Sequence, residues 1–128
     1  MSYIENTIAV LCGGAAGAVC RFKLNAAIMS GLTMTFPLGI LCINVLGGFL
    51  MGLLQGAMKR SGKPFTVGYS LLGTGFLGGF STFSTAINEM VSLARSGKYA
   101  AAAVYFMMTV LVPVVCVALG WGLIALVR

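Results

Sequence analysis

Charge and the usual catalytic side chains are what this chain lacks. Only 8% of its 128 residues are charged, there is no histidine, and the acidic residues number two, Glu5 and Glu89. A soluble domain carries about a quarter charged residues, so a surface this poor in charge would not keep a monomer dissolved. With no histidine and no carboxylate pair, there is no nucleophile–base–orienter set, and enzyme chemistry is left without a basis. Cys12, Cys20, Cys42 and Cys116 have no paired spacing, which argues against a zinc or redox site. They are expected as small buried hydrophobes within apolar segments.

What remains is 59% hydrophobic, with a mean hydropathy of +1.04. Four apolar stretches, about 3–28, 36–58, 65–94 and 99–127, account for nearly the whole sequence. Each supplies the ~20 residues needed to cross hydrocarbon. The first does not read as a signal peptide, because Glu5 stands where basic residues belong and no polar domain follows. The reading is a single transmembrane domain over 1–128, all-α, with four membrane helices per subunit. Pro37 suits the start of the second helix, and Ser61, Gly62 and Pro64 separate the second from the third. Ser96 and Gly97 precede the fourth, and Pro113 is expected to kink it and free a carbonyl near its middle.

The formal net charge of +6 invites a nucleic-acid reading, but no aromatic-interleaved basic patch exists. The basic residues cluster near helix ends, where contact with lipid headgroups explains them. Lys59, Arg60, Lys63 and Arg128 fall on one side of a four-span arrangement, and Arg21, Lys23, Arg95 and Lys98 on the other. Membrane orientation follows from an imbalance in such counts, and here there is none. Dual topology is therefore expected, with copies inserted both ways up and assembled as an antiparallel pair.

Gly13 with Gly17, and Gly48 with Gly52, stand four apart, a spacing that lets helices approach closely. Residues 73–89, GTGFLGGFSTFSTAINE, interrupt the third apolar stretch with glycine and hydroxyl side chains. Such a run suits a protein interior or a water-filled path rather than a lipid-facing helix. Gly75, Gly78 and Gly79 predict an unwound segment whose carbonyls and amides could hold a small ion. The hydroxyls of Ser81, Thr82, Ser84 and Thr85 follow directly. Asn44 in the second span is either a helix–helix contact or an amide donor in a permeation path, since a lone amide in hydrocarbon is costly. Phe76, Phe80 and Phe83 lie among these groups, and the positive edge of a ring can approach an anion where full charges are missing. Glu89 is expected to pair with broken backbone or a basic residue. Arg21 is expected to brace the first helix and draw anions toward one mouth.

Three segments together, GGAAGAVCRF at 13–22, INVLGGFLMG at 43–52 and GTGFLGGFSTFST at 73–85 with Glu89 after it, resemble the Fluc/CrcB family of fluoride ion channels. The resemblance runs through all four spans in order. It implies an antiparallel dual-topology homodimer in the cell membrane, two narrow fluoride pores and a structural Na+ at the dimer centre. The pore asparagine falls on Asn44, the first ring-edge phenylalanine on Phe83, and the hydroxyl track on Ser81, Thr82, Ser84 and Thr85, with Thr85 nearest the ion. Backbone carbonyls of Gly78 and Ser81 from both subunits correspond to the sodium ligands. Arg21 and Glu89 match conserved positions of the vestibule and scaffold, where Gly79 and Phe80 also fall. Two departures stand out: Ala86 occupies the position of a second phenylalanine, and the fourth helix carries Tyr105, Met108, Thr109 and Pro113 in place of small hydroxyl residues. They imply a modified pore or a subunit that needs a different, homologous partner chain.

Fluoride is small and strongly hydrated, so an amide, hydroxyls and ring edges in a tight passage would have to replace its shell. No energy source is visible, so passive export that lowers cytoplasmic fluoride is expected, with lipid and a second subunit as the partners. The alternative is a small four-helix, dual-topology multidrug exporter. That class wants a carboxylate in the middle of helix one, and Glu5 is too near the terminus.

Overall fold

The computed structural model describes residues 2–31, 36–61 and 67–126. All the regular structure among them is helical. Among the described residues, three helices are long and apolar enough to cross a membrane: α1 (Ser2–Ser30), α2 (Leu38–Ser61) and α6 (Tyr99–Leu126). The third apolar stretch is divided. A turn of α3 (Val67–Tyr69) leads into a π-helical run, π1 (Ser70–Leu77), then α4 (Gly78–Phe80), a break, and α5 (Phe83–Arg95). Gly97, at a φ of 81° that favours glycine, turns the chain between α5 and α6.

The expected break in the third stretch falls on its hydroxyl run, just past the glycines. Gly75, Gly78 and Gly79 all lie within helical backbone, and the extended residues are Ser81 (φ −87°, ψ 156°) and Thr82 (φ −150°, ψ 125°). Glycine here serves close approach rather than unwinding. A Cβ on Gly79 would collide with the Gly14 carbonyl oxygen, and one on Gly17 with that of Phe76. The Cα atoms of Gly13 and Gly75 also face one another, so α1 and the π1–α4 stretch meet backbone to backbone. Ser70 Oγ donates to Asn6 Oδ1 at 2.9 Å and fastens the start of π1 to α1.

A second seam joins α2 to α6. A Cβ on Gly48 would lie 3.2 Å from the Pro113 carbonyl oxygen, and one on Gly52 would strike that of Val117. α6 runs through Pro113 as one helix, so the expected kink does not interrupt it. Pro113 still has no N–H for the carbonyl of Thr109 four residues earlier. The buried cluster between α2, α5 and α6 holds Ile40, Leu41, Ala86, Leu93, Ala102 and Tyr105. Phe36 meets the Tyr105 ring edge to face, with centroids 5.5 Å apart.

The cysteines do not lie in this core. Cys12, Cys20 and Cys42 are on the outer surface of the single chain and Cys116 is half-buried. A membrane helix keeps an apolar outer face, so a small apolar side chain need not point inward there. The nature of these three faces matches the many large apolar side chains exposed beside them, Leu11, Val19 and Leu46 among them.

Candidate functional site

The break in the third stretch is held open by Asn44 from α2. Asn44 Nδ2 donates to the Thr82 carbonyl at 2.9 Å, and Asn44 Oδ1 accepts from the Thr82 N–H at 2.8 Å. One side chain therefore satisfies both backbone groups of the residue that leaves the helix, which removes the chief penalty of non-helical backbone within a membrane segment. Both readings of Asn44 meet in this geometry: it makes an interhelical contact, and one N–H of its amide remains for another acceptor.

Thr82 is also the N-cap of α5. Its Oγ1 accepts from the Thr85 N–H at 3.3 Å and lies 3.3 Å from Thr85 Oγ1 and 3.4 Å from Ser84 Oγ. Ser81 closes the other end: its N–H (3.0 Å) and its hydroxyl (2.9 Å) both donate to the Leu77 carbonyl. Two helix ends of opposite polarity thus face each other across two residues. The N-terminus of α5 presents backbone N–H groups, which suit an anion, and the end of α4 presents carbonyls, which suit a cation.

Arg21 takes part in the same construction. Its Nε donates to the Gly79 carbonyl at 3.0 Å, so the guanidinium braces α1 against α4. The N–H that would close a helical bond to the Gly78 carbonyl belongs to Thr82, and it goes to Asn44 instead. Phe80 is buried and stacks on Phe76 with centroids 5.9 Å apart. Glu89 is half-buried on α5 and, among the described residues, makes no hydrogen bond or ion pair. Among the described residues the pairing expected for it is not made, and the Nε of Arg21 is committed to Gly79.

A cavity of about 280 Å³ opens at the break. Asn44, Gly78, Ser81, Thr82 and Phe83 line it, with Thr109 and Pro113 of α6 opposite. Ser84 and Thr85 do not line it, nor do Arg21 and Glu89. The wall carries no charged residue. Phe83 is 66% exposed in the single chain and leaves that side of the cavity open.

Two hydroxyls on α6 add to the polar set. Thr109 Oγ1 and Tyr105 Oη are buried near one another, and among the described residues neither meets a partner at full hydrogen-bond geometry; Thr109 lines the cavity. They stand one helical turn apart, so both lie on the inward face. A buried hydroxyl left unpaired is unfavourable by roughly 1–3 kcal/mol, which marks a place for a missing acceptor or donor. Read as a sequence, Tyr105 and Thr109 counted only as departures in helix four; their spacing was the available signal. Ala86 is buried in the same cluster as Tyr105, so the small side chain sits where the tyrosine ring needs volume.

Residues 8–121 match the family described as CrcB-like protein, Camphor Resistance (CrcB). The chain belongs to that family. It is 48% identical over 111 residues to the fluoride-specific ion channel FluC 3 of Bifidobacterium longum, covering 87% of this chain and 90% of that one. It is 40% identical over 114 residues to the fluoride-specific ion channel FluC of Pyrococcus furiosus, covering 89% and 91%. The FluC of Pseudoalteromonas translucida matches at 34% over 109 residues, covering 85% and 88%. Membership of this family, with three helices able to span, makes the chain a multi-pass membrane protein and not an enzyme.

Proposed function

We propose that the chain forms a fluoride-selective channel whose path runs past the helix break. The observation that carries this is the uncharged cavity at the break, largely apolar with a few polar groups set into its wall. It combines an amide, hydroxyls, a helix N-terminus and an aromatic ring in a relative of proteins named fluoride-specific ion channels. Neutral donors replace part of the ion's hydration shell without holding it as tightly as a lysine or arginine would. In this reading Asn44, Thr82, Phe83 and Thr109 meet the ion, and Tyr105 completes the donor set beside Thr109. Ser81, Ser84 and Thr85 order the turn that presents them. Flow is passive and follows the fluoride gradient outward, lowering cytoplasmic fluoride across the cell membrane.

The working unit is an antiparallel dual-topology dimer, formed with a second copy or a homologous chain. The open side at Phe83 and the balanced basic residues support that reading. A structural Na+ belongs at its centre. The residues fit such an ion, because carbonyl oxygens are the hard ligands it needs and the α4 end supplies them. Gly78 and Ser81 would hold it from each copy, and the ion would offset the negative end of each α4.

Fluoride efflux from liposomes carrying the purified chain, with chloride as the control ion, tests the channel reading. Selective fluoride release is expected; no release, or equal chloride release, defeats it. Reporter fusions at the C-terminus test topology separately, and activity on one side of the membrane alone sinks the antiparallel assembly. A dimer equally heat-resistant in Na+ and in a bulky organic cation would remove the sodium site.

A further inference from the structure

A second cavity, of about 460 Å³, lies at the far end of the α2–α6 seam. Its lining is Gly56, Lys59 and Arg60 of α2 with Trp121, Ile124 and Ala125 of α6. The fluoride path does not use it. Its volume falls within the range of roughly 300–1,000 Å³ that accepts small organic molecules. Gly56 and Ile124 are in close contact at its floor, where a Cβ on Gly56 would lie 2.9 Å from Ile124 Cβ.

The depth of the cavity in the membrane follows from helix geometry. Trp121 is 22 residues from Tyr99, or ~33 Å along α6 at 1.5 Å per residue. A hydrocarbon core of about 30 Å puts the indole at the headgroup boundary, where tryptophan settles. Lys59 Nζ sits 5.0 Å from the centroid of the Trp121 ring, within cation–π range. The contact holds the ammonium over the cavity rather than letting it reach away into water.

Charge selects the occupant. Two cations line the cavity and neither of the chain's two acidic residues does. Both α2 and α6 end here, and each C-terminus contributes about half a negative charge. Among the described lining residues the side-chain charge is positive only, which suits one phosphodiester. The indole and the apolar floor add a surface that a free inorganic ion does not use but glycerol and acyl chains do. We infer that this cavity binds the headgroup of an anionic phospholipid, with Lys59 on the phosphate, Arg60 adding positive charge to the wall, and Trp121 against the glycerol region.

The test uses the full chain purified in a neutral detergent. It is incubated with dioleoylphosphatidylglycerol or dioleoylphosphatidylcholine at equal mole fraction, and native mass spectrometry reads bound lipid and oligomer mass together. Preferential retention of phosphatidylglycerol is expected. Lys59→Gln should lower that retention roughly fivefold, and Lys59→Gln with Arg60→Gln further, since each basic group near a charged lipid is worth about a factor of five. Lys59→Arg should retain it. Should the double variant not disperse, Lys59→Gln alone carries the comparison. Equal retention of the two lipids overturns the inference, as does unchanged retention in the glutamine variants. So does displacement of the lipid by equimolar inorganic phosphate, which would make this a free-anion site. An assembly that carries no lipid because a second copy fills the cavity overturns it as well.

Discussion

The cavity at the break and the cavity at the α2–α6 helix ends are each proposed to take an anion, and by opposite means. The one at the break has an amide, hydroxyls and a phenylalanine and no charged wall, whereas the one at the helix ends has a lysine, an arginine and an indole. Position explains the difference. Deep in a membrane segment a bare cation is costly and would trap the anion it attracts, so partial charges from a helix end and side-chain dipoles serve better. At the headgroup boundary water and phosphate stabilise full charges, and holding on is no disadvantage. A passage and a binding site therefore differ less in which ion they recognise than in how strongly they may hold it.

The harshest way to break the comparison is Gly17→Val, which attacks the seam behind the break and leaves the α2–α6 cavity untouched. Its side chain would strike the Phe76 carbonyl, a backbone atom that cannot step aside. A loss of ~3 kcal/mol or more is expected, read as failure to recover monodisperse protein; a normal elution profile would show that the seam can open. Asn44→Asp comes next. It removes the donor to the Thr82 carbonyl and adds a negative charge inside an anion path, so fluoride flux should fall about 100-fold, in line with ~3 kcal/mol for a charge at membrane depth. Undiminished flux would leave Asn44 outside the path. Thr109→Val keeps shape and deletes one buried hydroxyl that, among the described residues, has no partner at full hydrogen-bond geometry. A neutral hydrogen bond of ~1 kcal/mol predicts roughly a fivefold drop in flux with melting temperature preserved. If flux holds and stability rises, that hydroxyl is a packing defect rather than a ligand. Phe83→Ile sharpens the comparison least. Loss of a ring edge worth ~0.5–1 kcal/mol should reduce fluoride flux a few-fold in the liposome assay, and equal flux would remove the ring from the path.

Much of this architecture is legible in the sequence. Apolar length marks the membrane segments because hydrocarbon thickness is a fixed ruler. The glycine pairs at 13 and 17 and at 48 and 52 mark close approach because only glycine allows backbone contact. A disturbance near Ser81 was legible from its hydroxyls, but its position was not. Gly78 and Gly79 have the greater freedom to unwind, yet both remain helical, with Gly79 held against the Gly14 carbonyl of α1, and the chain leaves the helix where Asn44 can hold it. That partner is 38 residues away. No local propensity could announce it. The grouping of Thr109 with the break is of the same kind, since α6 reaches that cavity only through its own glycine seam with α2.

Composition by itself determined that this chain lives in a membrane, that its helices touch through glycine, and that polar groups collect in the third segment. Those outcomes follow from transfer free energies and side-chain size, which belong to each residue wherever the chain folds. Which polar atoms are spent on one another and which are left facing space was decided only by tertiary structure. A hydrogen bond needs two groups within about 3 Å, and only the packing of distant helices sets that separation.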